Sequence, residues 1–295
     1  MRHRASLLDN IATSSGTSVL IGVVALIAAL ILPQSRFIVV VIWVAVAIGL
    51  LPIIRHYNIT RNASPIACAL YLLLQAAMTD IDFSMVENCA LPVASVAGMA
   101  LLFSAFQSKR SAYPVFTAML MTSACMVWWW AFIPLAVVWI IGTIQMRAIS
   151  PRSLSAMLLG LITAPLLIYG FGIASPALPE LPVAPALPDA QSAHLYASVG
   201  YSIFLTVICG GACMLTSYGY QARPRACNAL IYTLSIYAIA VCLADLGNAS
   251  AYLGLLNLCA AYHVGHFAVS HSRGWVTVVL TFAATMSLYV WNSWI

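Results

Sequence analysis

The charged residues of this chain are few, and where they fall constrains its fold more than any motif does. Only 6% of the 295 residues are charged. Long apolar runs of near membrane-spanning length separate them. Connections carrying Arg or Lys alternate with connections carrying Asp and Glu or no charge at all. Basic residues collect on the cytoplasmic side of a membrane, so this alternation reads as a polytopic helical membrane protein and assigns a side to each loop.

Composition agrees. A hydrophobic share of 63% lies well above the roughly one half of a soluble domain, and the mean hydropathy is +0.99. The net charge of +5 follows from the basic loops, so nucleic acid is not an expected partner. The eight cysteines are scattered through apolar segments without a CxxC pair, which argues against a disulfide framework or a zinc site. Cys209 and Cys213 share a helix face beside Gly210 and Gly211 and read as small packing residues. The start, MRHRASLLDN before an apolar run, lacks a convincing small-x-small cleavage site and reads as the approach to an uncleaved first helix.

Eleven apolar segments emerge, at about 15–32, 37–54, 65–79, 90–107, 113–129, 132–147, 154–173, 194–217, 227–244, 249–269 and 274–293. Each should be a helix, because lipid offers no partner for a free backbone amide. With the N-terminus and its Arg2 and Arg4 in the cytoplasm, the inner connections hold Arg55, Arg61, Lys109, Arg110, Arg147, Arg152, Arg223, Arg225 and Arg273. Only Arg36 falls outside, and the C-terminus ends outside. The outer connections receive Asp80, Asp82, Glu87, Glu180, Asp189 and Asp245, leaving Asp9 inside. The stretch 113–147 tests the count. As one helix it would run about 52 Å, too long for an ordinary crossing. Trp128, Trp129 and Trp130 before Pro134 supply an interfacial turn and a new helix start. The expected fold is therefore one all-α transmembrane bundle of about eleven spans over residues 1–295.

The one substantial loop, 174–193, places Pro176, Pro179, Pro182, Pro185 and Pro188 at every third position. That is the turn of a polyproline II helix, and 13 residues of it reach about 40 Å. It reads as a stiff spacer, or as a docking rod for a partner with an aromatic groove.

Few residues carry chemistry. Asp80 and Asp82, with Glu87 nearby, form an outer-loop acidic group of the kind that can hold a divalent cation or serve a polyprenyl-linked glycosyltransferase. Arg36, the lone outer cation, suits a phosphate group or an interfacial anchor. His263 and His266 lie three apart near the inner end of the tenth helix, with His271 beyond. They suit a metal, a proton relay, or hydrogen bonds to a neighbouring helix or to lipid headgroups. Asp245 would mark a functional site if buried in the membrane, but Gly247 and Asn248 beside it point to an outer turn. Gln75, Asn228 and Asn257 suit helix–helix hydrogen bonds. No P-loop, HExxH or GxSxG occurs, and no cofactor is indicated.

The stretches LFSAFQSKR (102–110), SLSAMLLGLITAP (153–165) and HFAVSHSR (266–273) resemble an uncharacterised family of multi-pass inner-membrane proteins of Bacteroidota bacteria. The resemblance implies a Gram-negative inner-membrane location and brings no catalytic residues with it. The expected role is a non-enzymatic or accessory component of cell-envelope assembly, with the bilayer and other envelope membrane proteins as partners. The alternatives are a polyprenyl-linked glycosyltransferase or polysaccharide polymerase acting through Asp80 and Asp82, and a transporter of small molecules or lipids.

Overall fold

A computed structural model describes residues 14–31, 37–60, 64–77, 87–108, 111–174, 190–271 and 273–293. Among them stand eleven α-helices and no strand. In chain order these are α1 (Ser15–Ile31), α2 (Phe37–His56), α3 (Ile66–Ala76), α4 (Glu87–Ser104), α5 (Ala112–Met126) and α6 (Phe132–Gln145). They continue with α7 (Pro151–Gly170), α8 (Ala190–Ser217), α9 (Ala222–Ala244), α10 (Ala249–Ser270) and α11 (Gly274–Ser293). Each expected segment has its helix. Five of the eleven are long and apolar enough to cross a membrane: α2, α7, α8, α9 and α11. The others depart from the expected spans in instructive ways. At 11 residues α3 rises only about 17 Å, and α5 and α6 are 15 and 14 residues long. The 22-residue α10 is long enough, but its Asn and His side chains dilute its apolar character.

The local signals are legible. Ser150 caps α7: its hydroxyl accepts from the Ser153 amide at 3.1 Å while Ser153 Oγ accepts from the Ser150 amide at 2.7 Å. Pro151 begins the helix, where its missing N–H leaves no bond unmade. The turn between α5 and α6 falls on the three tryptophans. Trp128 faces outward, whereas Trp129 and Trp130 pack against the core.

α10 lies at the centre, against α3, α4, α8, α9 and α11. Seventeen of its 22 residues are buried, so apolar residues ring it on every side, as a helix enclosed by protein requires. Close approach replaces bulk at one contact. A Cβ at Gly265 would come within 2.8 Å of the Ala67 Cβ on α3, so only glycine allows the two backbones this near. Small residues at helix contacts are the usual means of packing where lipid supplies no hydrophobic drive. The pair α5 and α7 forms a flank of the bundle. There Ser123 Oγ donates to the Gly160 carbonyl at 2.8 Å, while Leu158, Ile162 and Leu166 of α7 point away from protein, 61%, 57% and 63% exposed.

Candidate functional site

The buried polar side chains gather along α10 in three groups, one near each end and one between. At its N-terminal end α9 stops at Asp245, whose backbone (φ −130°, ψ 59°) leaves the helical region. A 3₁₀ turn at Leu246–Asn248 follows and leads into α10. The turn is where the Gly and Asn indicated, but the side chain is not in water: Asp245 is 1% exposed. The carboxylate is enclosed because three donors reach it. Tyr252 Oη donates to Oδ2 at 2.6 Å, Trp130 Nε1 to the same oxygen at 3.3 Å, and Asn248 Nδ2 to Oδ1 at 3.1 Å. Trp129 stacks on the Tyr252 ring at 5.2 Å, and Tyr237 Oη donates to the Ala131 carbonyl at 2.7 Å. The α5–α6 turn is thus tied to both α9 and α10.

One turn and a half further along, Asn257 joins three helices. Its Nδ2 donates to Gln75 Oε1 on α3 at 3.1 Å, and its Oδ1 accepts from Ser202 Oγ on α8 at 2.7 Å. Gln75 Nε2 in turn donates to Tyr71 Oη at 3.1 Å.

The histidines form the third group. His263 is fully buried, with Nε2 2.8 Å from Ser235 Oγ on α9. The Ser235 hydroxyl donates to the Ile231 carbonyl, so the network assigns the proton to His263 Nε2, which donates to Ser235 Oγ. Nδ1 of His263 is then a bare acceptor, and it has no hydrogen-bond partner. Tyr232 stacks flat on the ring at 5.1 Å. His266, 1% exposed, faces the other way: its Nε2 lies 2.9 Å from Tyr220 Oη, which also meets Ser270 Oγ at 3.3 Å. Tyr262 sits edge-on to both imidazoles. Its hydroxyl donates to Asn228 Oδ1 at 2.6 Å, and Asn228 Nδ2 donates to the Ile59 carbonyl at 3.1 Å. Tyr220 and Ser270 also line an open cleft of about 640 Å³, together with Asn58, Thr60, Thr216 and Gln221. A hydroxyl that touches both an open cleft and a buried imidazole can pass a proton between them.

The two histidines therefore bind neighbouring elements rather than one another. Among the described residues no group of three or more His, Cys, Asp or Glu is arranged to hold a metal ion. Cys209 and Cys213 are buried against α10, with Cys213 Sγ donating to the His263 carbonyl at 3.5 Å. Arg36, Asp80, Asp82 and the prolines 176, 179, 182, 185 and 188 lie outside the described residues. The sequence marks Trp130 as part of a turn but does not pair it with Asp245, and it does not single out Tyr252, Tyr220 and Ser235, the other partners of Asp245 and the histidines. Tyr252, seven residues after Asp245, carries a faint signal, a polar-tipped ring at the head of a buried helix.

Comparison with protein-family models, with curated proteins and with solved structures returns no match.

Proposed function

We propose that the protein is an integral inner-membrane protein of eleven crossings, with its N-terminus cytoplasmic and its C-terminus outside, that serves cell-envelope assembly as a non-enzymatic, accessory component. The observation that carries this reading is how the interior polar groups are used. Asp245, Asn257, Gln75 and Asn228 each bind another element of the same bundle. A polar side chain in an apolar surround that is met by a partner on the next helix fixes helix register. The bundle is therefore a stiff body, suited to holding other membrane proteins in place. The apolar outer face of α7 supports contact with lipid or with such partners. Five helices long and apolar enough to cross a membrane support a membrane location.

Affinity purification in mild detergent, followed by mass spectrometry, tests the role. Other envelope membrane proteins should return in near-stoichiometric amounts, and repeated recovery of the chain alone overturns it. Reporter fusions at the loops test the topology: those at Arg147 and Arg225 should report cytoplasm, and one at the 174–193 loop the outside.

A second reading, movement of a small solute or proton, draws on one observation, the contact of Tyr220 with both the open cleft and His266. Reconstituted vesicles carrying a pH dye test it. Proton flux that Tyr220→Phe abolishes would favour it over the accessory role.

A further inference from the structure

Away from the polar groups of α10, a partly open groove of about 480 Å³ lies between α2 and α4. Its walls are Ala45, Gly49 and Pro52 on one side and Val93, Ala97 and Ala100 on the other. These are small or smooth residues, and the spacing of each set keeps it on one helix face. From Ala45 to Tyr57 the groove extends about 18 Å at helical rise, close to the roughly 15 Å of hydrocarbon in one leaflet. Its lining is almost wholly apolar until its last turn, where His56 and Tyr57 close it. There the chemistry changes sharply. The His56 ring meets the Tyr57 ring edge-on at 4.8 Å, and the Arg223 guanidinium lies over the same ring at 4.9 Å. Arg55 is exposed in the same helical turn as His56. Burial pushes the Tyr57 phenol above its ordinary value and Arg223 pulls against this, leaving a neutral hydroxyl that can donate.

We infer that this groove binds one anionic phospholipid of the adjoining leaflet, with an acyl chain between α2 and α4 and the phosphate at Arg223, His56 and Tyr57. Two features select this occupant. An apolar slot one leaflet long fits a chain that enters sideways from the bilayer, and a cationic group at its end is complementary to a headgroup phosphate. Basic pockets between helices at the cytoplasmic face are known sites for such headgroups. The inference rests on the membrane reading above, since the basic end must lie at an interface.

Native mass spectrometry of the full chain released from detergent micelles tests it, using phosphatidylglycerol and phosphatidylcholine at equal mole fraction. The wild type should retain phosphatidylglycerol over phosphatidylcholine by about fivefold, the effect of one basic group on a headgroup whose negative charge no choline cancels. Arg223→Gln should lose that preference and Arg223→Lys should keep it. Ala97→Leu, which fills the slot, should lower retention of both lipids. Equal retention by the wild type overturns the inference, as does unchanged phosphatidylglycerol binding in Ala97→Leu. Displacement of the lipid by millimolar inorganic phosphate would likewise overturn it, assigning the basic end to a free anion. Alkaline carbonate extraction of the same membranes reports separately on the membrane reading: a chain released into the supernatant fails that reading, whatever the lipid result.

Discussion

α10 and α7 are similar in length, at 22 and 20 residues, yet they are opposite in character. Seventeen residues of α10 are buried, against six of α7. α7 is nonetheless long and apolar enough to cross a membrane, while α10, the core of the bundle, is not among the helices that are. The inversion has a physical cause. A helix facing hydrocarbon must be apolar because lipid offers no hydrogen-bond partner. A helix enclosed by other helices can carry Asn, His and Tyr, because its neighbours supply the partners. In this molecule the interior is apolar with a few partnered polar groups along α10, and the outward face of α7 is apolar as well.

The largest effect is expected at the Asp245 end of α10. Asp245→Ala leaves the Tyr252 hydroxyl and the Trp130 indole N–H without their acceptor. Each unmet buried group costs about 1–3 kcal/mol, so the melting temperature in detergent should fall sharply. A change within a degree or two would show that the three-donor arrangement carries no stability. The next effect belongs to α7. Ile162→Asp, near the middle of its outward face, should cost about 2.5–3.5 kcal/mol of membrane insertion, read as lost membrane-integrated protein. Normal insertion would mean that this face does not meet hydrocarbon.

Packing gives the third test. Gly265→Leu forces α10 away from Ala67 and should destabilise by about 1–3 kcal/mol, measured by thermal unfolding in detergent. Asn257→Leu removes the links to Gln75 and Ser202, for which interhelical hydrogen bonds suggest about 0.6–2 kcal/mol. If Asn257→Leu stabilises instead, the amide serves specificity and not stability. The smallest change is expected at Leu158→Ala on α7, within about 0.5 kcal/mol in detergent. A loss comparable to that of Gly265→Leu would place a protein partner, not lipid, on that face.

Much of the fold is legible in the sequence. All eleven helices among the described residues lie near where the sequence places them, because the distance between loop charges and the apolar length of a helix are both one-dimensional quantities. The tryptophan turn at 128–130 was readable for the same reason, since Pro134 and the Trp run mark it locally. The failures are equally specific. Gly247 and Asn248 signalled the turn at Asp245 but said nothing of Trp130, 115 residues away, whose indole helps to enclose the carboxylate. The three-residue spacing of His263 and His266 suggested a shared face. In the fold one imidazole turns to Ser235 and the other to Tyr220, because different neighbours lie on either side of α10.

What the sequence by itself determined, then, was the set of eleven helices among the described residues, since hydropathy acts on the chain segment by segment. Which helix sits at the centre was decided only in three dimensions. α10 goes there because Gly265 permits close contact with α3 and because Gln75, Ser202, Ser235 and Tyr220 converge on its polar side chains. Those partners come from separate parts of the chain, so the environment of Asp245 and of the histidines is a property of the packing and of no single segment.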